Sequence, residues 1–246
     1  MFNYKDRVVM ITVASSGLGV QMAHGFAEVG ANLAILARRE ERLKEVKEEI
    51  ESKYGVEVFY HKSDVTNTED IDKAVTSIIN HFGKIDVLVN NAGSSKGGPV
   101  NELSDEDWQF TMDIDLTSVF NVTRRVSQEM IKKEHGRIIN IASIYGLLGT
   151  NQMQTAYHAT KAGVVNFSRA ASAELAPKGI TVNTICPGYF TTELTEDTLS
   201  NNDFKTYMNL TVPMHRPSKQ GELNAGAIFL GSVEASYVTG IALPID

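Results

Sequence analysis

The chain has 246 residues, of which 42% are hydrophobic and 22% charged, with a formal net charge of −7 and a single cysteine, Cys186. That composition belongs to an ordinary folded protein and excludes a disordered, collagen-like or coiled-coil chain. The lone thiol excludes an internal disulfide, no segment has the roughly 18 apolar residues of a membrane span, and the acidic balance argues against a nucleic-acid binder. Lys5 and Arg7 precede the apolar run Val8-Val9-Met10-Ile11 as in a signal peptide, but the run is too short and Asp6 interrupts the basic part. With no export signal and a free thiol, the expected location is cytoplasmic.

The chain alternates short apolar runs with longer amphipathic stretches. Arg7–Val13 is a β-branched run that ends at the turn Ser15-Ser16-Gly17-Leu18-Gly19. A helix over Val20–Val29 follows, Gly30 ends it, and Asn32–Ala37 is the second strand. Arg39–Lys53 predicts a helix with Leu43, Val46 and Ile50 on one face and a Glu40–Lys44 pair on the solvated side. Val56–Tyr60 is a strand, Ile71–Phe82 a helix stopped by Gly83, and Val87–Val89 a fully apolar strand. Ser104, with Asp107 three residues on, starts a long helix through a capping-box pattern. Arg137–Ile141 and Thr181–Ile185 are strands flanking a helix over Ala156–Ala176, which Pro177 and Gly179 end. Gly221–Leu230 is a further helix and Ile241–Ile245 a last strand.

Strands apolar throughout, each followed by a helix, indicate a parallel sheet covered on both faces. The expected fold is α/β: a doubly wound Rossmann fold with a mostly parallel seven-stranded sheet and helices on both faces. No linker or repeat divides it, so residues 1–246 are expected to form a single Rossmann-type domain. In such sheets ligands bind at the carboxyl ends of the strands.

Three strand ends carry chemistry. The first, Thr12-Val13-Ala14-Ser15-Ser16-Gly17-Leu18-Gly19, has glycines where a backbone could approach a pyrophosphate at a helix amino terminus. The G-x-G-x-x-G pattern does not fit, because Met22 stands at its third glycine, so a dinucleotide site and an ordinary turn both remain open. The second strand ends in Ala37-Arg38-Arg39 with no carboxylate at its tip. An acidic residue there meets a free ribose, whereas arginine meets a 2′-phosphate, so the sequence favours NADP(H) over NAD(H). Third, Tyr157 and Lys161 share one helix face, and Ser143 follows the Arg137–Ile141 strand. An ammonium about 4 Å from a phenol favours the phenolate by ~4 kcal/mol at an effective dielectric of ~20. That suits general acid–base work near neutral pH. A serine hydroxyl can hold a substrate oxygen as charge develops on it.

With these residues in this order, the chain resembles the short-chain dehydrogenase/reductase family over nearly its whole length. Thr12 through Gly19 match T-G-x-x-x-G-x-G with one break at Val13; Asp64-Val65 match the adenine-side aspartate motif; Asn90-Asn91-Ala92-Gly93 are an intact N-N-A-G; Ser143, Tyr157 and Lys161 match the catalytic Ser and Y-x-x-x-K. Asn183 and Pro187-Gly188-Tyr189-Phe190-Thr191-Thr192 match the segment that holds the nicotinamide. The resemblance implies hydride transfer at a carbonyl or alcohol carbon, in a homotetramer or dimer. It assigns catalytic roles to Ser143, Tyr157, Lys161 and, at the relay position, Asp115. The cofactor would be seated by Thr12, Ser15, Ser16, Gly17, Leu18, Gly19, Arg38, Arg39, Asp64, Val65, Asn91, Ala92, Gly93, Tyr157, Lys161, Pro187, Gly188, Phe190 and Thr192.

Three positions depart from the family pattern. Val13 replaces the first loop glycine, and a positive φ there would be strongly disfavoured for a β-branched residue. Asp115 replaces the relay asparagine, and a carboxylate near Lys161 would oppose the ammonium's effect on Tyr157. The chain also stops at Asp246, two glycines short of the family's usual last turn.

The six histidines show no H-E-x-x-H or other close ligand pair and Cys186 has no partner, so no metal site is expected. Cys186 is read as a buried inert thiol, Trp108 and Phe110 as core or subunit contact, and His158 as non-catalytic. Substrate contacts are expected from Ser94–Pro99, Tyr145–Gln154 and the irregular stretch Tyr189–Pro217, a variable substrate lid carrying Tyr189, Phe190, Leu194, Leu199, Phe204, Tyr207, Met208 and Met214. Its apolar character favours a neutral or hydrophobic carbonyl compound, with Arg216 free to meet a carboxylate. A 3-oxoacyl thioester, a sugar acid of the gluconate type and a hydroxysteroid all stay open as substrates. A cofactor-binding protein with little turnover is the alternative that Val13 and Asp115 motivate.

Overall fold

The computed structural model describes residues 2–94, 96–192, 195 and 199–246. Its elements in chain order are β1 (Val8–Thr12), α1 (Gly17–Glu28), β2 (Asn32–Ala37), α2 (Glu40–Tyr54), β3 (Val58–Lys62), α3 (Thr68–Phe82), β4 (Val87–Asn90), α4 (Asp105–Met112), α5 (Ser118–Lys132), β5 (Gly136–Ile141), α6 (Thr155–Leu175), β6 (Ile180–Pro187), α7 (Asn202–Thr211), α8 (Asn224–Gly231) and β7 (Ala242–Ile245). The strands form a seven-stranded sheet in the order β3-β2-β1-β4-β5-β6-β7, and every neighbouring pair is parallel. The order reverses between β1 and β4, which opens a crevice at the carboxyl edge there.

Alternation along the strands divides the core in two. Val9, Ile11, Leu33, Ile35, Val87 and Val89 pack with Met22 and Phe26 of α1, Leu43 and Ile50 of α2, and Leu230 of α8. Met10, Ala34, Leu36 and Leu88, one step out of phase, pack with Ile71, Val75 and Ile78 of α3 and Val122 and Val126 of α5. Each fully buried aliphatic side chain contributes about 1.5–3 kcal/mol of transfer free energy, so the two layers clamp the sheet between them. The site at its edge thus rests on a rigid platform.

The elements differ from the sequence reading mainly at their ends. The third strand is Val58–Lys62 rather than Val56–Tyr60, because its register is set by Leu33 opposite Val58 and Ala37 opposite Lys62. Val13 is outside β1, since its backbone turns to positive φ. The eighth helix starts at Asn224, not Gly221, whose φ is +83°. The long helix after Ser104 is α4 and α5 joined by a π-helical turn over Asp113–Thr117. Tyr189–Pro217 is not wholly irregular: it holds α7, which Asn201 caps by accepting from the amides of Asp203 and Phe204. Trp108 and Phe110 lie on the surface, 38% and 37% exposed, and so are not core residues.

Capping also fixes α3, where the Asn67 side chain accepts from the amides of Glu69 and Asp70. Asn67→Ala is expected to lower stability by about 1 kcal/mol in urea unfolding, because two amides lose their acceptor.

Candidate active site

The crevice between β1 and β4 is held by side chains rather than by strand pairing alone. The Thr12 hydroxyl accepts from the Asn91 amide at 2.9 Å. The Asn91 side-chain amide donates to the carbonyls of Thr12 and Val13, each at 3.3 Å. These contacts fix the loop that leads into α1. The loop is tight against its neighbours: a Cβ on Gly19 would stand 2.5 Å from the Val13 carbonyl and 2.7 Å from Asn91 Nδ2. Gly17 has φ +56°. Ser16 begins α1 without a side-chain cap, and the first turn holds no acidic residue. The amides there face the crevice without a protein carboxylate before them, which fits a pyrophosphate.

Val13 has φ +52°. The position does require the left-handed backbone that glycine adopts freely, and a β-branched residue occupies it with strain of about 1–3 kcal/mol.

At the tip of β2, Arg39 does not point freely to solvent. Its Nε donates to the Ser15 hydroxyl at 3.4 Å and its Nη2 to the Ser15 carbonyl at 3.3 Å. Arg38 is exposed at the same tip. Asp64, after β3, accepts from the Thr66 amide and hydroxyl at 2.9 and 2.7 Å. Its carboxyl is held below the usual range: burial pushes it up, but the two Thr66 hydrogen bonds and the Arg38 charge outweigh that. Val65 is buried beside it in the core.

A cleft of about 580 Å³ opens over this edge. Ser16, Gly17, Leu18, Asn91, Ala92 and Gly93 line one end, Ser143, Tyr157 and Lys161 the middle, and Pro187, Gly188, Phe190 and Thr192 the other side. Thr12, Ser15, Gly19 and Asp115 are buried in or behind its wall, while Arg38, Arg39, Asp64 and Val65 stand outside it at the ends of β2 and β3. The cleft therefore brings together most of the predicted residues.

Tyr157 lies in the first turn of α6 and Lys161 one turn later. Lys161 is 2% exposed. Its Nζ donates to the Ile141 carbonyl at 3.3 Å, lies 3.7 Å from Asp115 Oδ2, and stands 5.3 Å from the centre of the Tyr157 ring. Ser143, at the end of β5, accepts from the Tyr145 amide at 3.2 Å, which leaves its own proton free to donate. Tyr145 meets the Tyr157 ring edge-to-face at 6.1 Å and stacks on His158 at 4.5 Å. His158 also bonds the Gln154 carbonyl and the Thr150 hydroxyl. Cys186 is buried, and burial pushes its thiol up to about 11, so it is protonated at neutral pH.

A second cavity of about 370 Å³ adjoins the first and shares Ile144, Tyr189 and Phe190 with it. Leu148, Tyr207, Val212, Met214 and Ile245 make it mostly apolar. Leu194 lies outside the described residues. The Arg216 guanidinium grips Glu222 through two hydrogen bonds of 2.8 Å. That pair and the Lys219 amide hold the Glu222 carboxyl down to about 2. Arg216 is thus already committed to a carboxylate of the same chain. The roles of Glu222 and Ile245 were not visible in the sequence, because only the turn after residue 216 and the β6–β7 pairing bring them to the cavity. Among the described residues, no three His, Cys, Asp or Glu side chains converge as a metal site would need, and no helix is long and apolar enough to cross a membrane.

The family model "short chain dehydrogenase" matches residues 7–203. The chain belongs to the short-chain dehydrogenase family. It is 37% identical over 241 residues to a 3-oxoacyl-(acyl-carrier-protein) reductase of Chlamydia muridarum, covering 98% of this chain and 96% of that one. A gluconate 5-dehydrogenase from Burkholderia cenocepacia, solved with NADP and tartrate, superposes with a TM-score of 0.95 at 33% identity, covering 100% and 95% of the two chains. An NADPH-dependent 3-quinuclidinone reductase from Rhodotorula rubra superposes with a TM-score of 0.94 at 29% identity, covering 100% and 92%. As a short-chain dehydrogenase/reductase the chain is an oxidoreductase acting at CH–OH or C=O groups.

Val13→Gly is expected to relieve the loop strain, less the extra chain entropy of glycine, for a net gain of about 1 kcal/mol. Thermal unfolding should show this as a rise of about 2–4 °C. Titration should show tighter binding of a nicotinamide dinucleotide, because the valine side chain lines the cleft.

Proposed function

We propose that the protein is an NADP(H)-dependent reductase of neutral ketones, working through Ser143, Tyr157 and Lys161. The observation that carries this reading is that a phenol, a serine hydroxyl and a buried ammonium line one cleft that continues into the glycine loop. When bound, the nicotinamide supplies the hydride in reduction or receives it in oxidation. Ser143 donates to the substrate oxygen and orients it. Tyr157 passes its proton to that oxygen as negative charge develops there, and takes it back in the reverse direction. Lys161 favours the ionised phenol that this leaves. Asp115 stands at the relay position behind Lys161.

The cofactor would lie along the loop, with its phosphates at the amino end of α1. Arg38 and Arg39 at the tip of β2 suit a 2′-phosphate, with no carboxylate at that tip to meet a free ribose. NADP and NADPH in the printed descriptions of two structural relatives support the same choice.

For the substrate, the apolar second cavity and the Arg216–Glu222 pair favour a neutral ketone with an apolar substituent, a class that includes 3-oxoacyl thioesters, over a sugar acid. A sugar acid's carboxylate would have to displace Glu222 from Arg216. A homotetramer or dimer in the cytoplasm is part of this proposal, and the exposed rings of Trp108, Phe110 and Phe120 are its candidate subunit contacts. The strain at Val13 favours the second reading, a cofactor-binding protein with little turnover.

Three measurements decide among these readings. A panel of ketones and sugar acids, followed by nicotinamide absorbance, should show turnover of apolar ketones; none at all supports the second reading. Tyr157→Phe should lose at least about 10²-fold in kcat while still binding NADPH. Arg38→Asp should cut the preference for NADPH over NADH roughly tenfold or more, by removing a charged hydrogen bond; equal affinities in the parent would overturn the cofactor assignment.

A further inference from the structure

The π turn Asp113–Thr117 sets the Asp115 carboxylate in the interior, with none of its surface exposed. Three groups surround its oxygens. The Ser94 amide donates to Oδ1 at 2.8 Å, Lys161 Nζ lies 3.7 Å from Oδ2, and the Thr160 hydroxyl, whose nearer acceptor is the Tyr157 carbonyl at 3.0 Å, stands 3.5 Å from Oδ2. The Ser94 amide and the Lys161 ammonium both favour an ionised carboxylate. Burial is the largest influence and leaves the Asp115 carboxyl above its ordinary value, although the Lys161 charge and the hydrogen bonds of Ser94, Thr160 and Lys161 pull it down. Lys161 in turn is shared between this carboxylate and the Ile141 carbonyl.

We propose that the Asp115 side chain is a positioning residue of the acid–base site: it anchors the Lys161 ammonium and offsets its charge, so that turnover follows a pH profile displaced to higher pH than a neutral side chain there would give. This rests on the reading that Tyr157 transfers the proton. A positive charge beside a phenol favours its ionised form, and a carboxylate next to that charge acts in the opposite sense. Asp115 Oδ2 lies 3.7 Å from an ammonium that itself stands 5.3 Å from the Tyr157 ring centre; losing a unit charge roughly 9 Å from the phenol is worth ~2 kcal/mol at an effective dielectric of ~20, which moves the transition by about one pH unit.

The other groups around the site do not supply this offset. Tyr145, against the Tyr157 ring, is a phenol that burial keeps protonated, and it bonds Tyr189, whose hydroxyl burial also pushes up. Cys186 on β6 is a neutral thiol at neutral pH. His158 turns to Gln154 and Thr150. Asp113, on the same π turn, bonds Gln109 at the surface, Lys96 pairs outward with Asp107, and Arg169 lies two turns further along α6.

The test uses the full chain saturated with NADPH. In Asp115→Asn, the pH midpoint of kcat should fall by about one unit, with cofactor affinity kept. A folded variant with an unchanged profile overturns the proposal. The second arm is carbon NMR of the Asp115 side-chain carboxyl in the parent protein. A carboxylate signal at pH 7 is expected, and a carboxylic acid signal overturns the proposal even if the variant does not fold. Absence of any turnover in the parent would overturn the ketone-reductase reading, and the NMR arm would still decide whether Asp115 carries the charge.

Discussion

A lysine ammonium buried to 2% exposure must find its partners inside the protein, and much of the site is arranged around that requirement. An unpaired buried charge costs several kcal/mol, so Lys161 is held by the Ile141 carbonyl and the Asp115 carboxylate. The backbone makes room for it. A Cβ on Gly93 would come within 3.4 Å of Nζ, and one on Gly146 within 2.7 Å of the Lys161 carbonyl. The glycine of the N-N-A-G segment thus borders the ammonium. The π turn that carries Asp115 belongs to the same solution, because it brings a carboxylate to the base of α6 between two ordinary helices.

The glycine loop shows the opposite situation, a requirement met against local preference. Asn91 and Thr12 tie β1 to β4 across the point where the strand order reverses. That clamp fixes the path of the chain at residue 13 whatever side chain stands there. Valine therefore accepts the left-handed backbone instead of reshaping the loop, and Gly17 and Gly19 keep the space that the loop needs. The strain is local because the sheet beneath is packed on both faces.

The substrate side is less uniform among relatives of this family. The chain is similar both to 3-oxoacyl-(acyl-carrier-protein) reductases and to a gluconate 5-dehydrogenase solved with tartrate. Overall likeness does not separate those chemistries, since the chain is 37% identical to the one and 33% identical to the other. In this chain the second cavity holds a cation already paired, and Arg216 cannot serve a ligand carboxylate without losing Glu222.

What the sequence determined by itself was whatever depends on short-range pattern. Apolar strands alternating with amphipathic helices indicated a parallel α/β sheet, because strands apolar on both faces need helical cover on each side. The spacing of Tyr157 and Lys161 placed both on one helical face, whereas the φ of Val13 stayed an open question that only the structure answered, with +52°. Tertiary structure decided what depends on partners distant in the chain. Arg39 turns back to Ser15 because the β2 tip lies against the glycine loop. Arg216 is taken by Glu222 because the intervening turn folds the chain back on itself. The register of β3 followed from its pairing with β2 rather than from its own β-branched residues. Asp115 read as a substitution at one position; only the packing of the π turn against α6 made it the buried counter-ion of Lys161, because the energy of a charge pair is set by distance and burial, neither of which one chain segment contains.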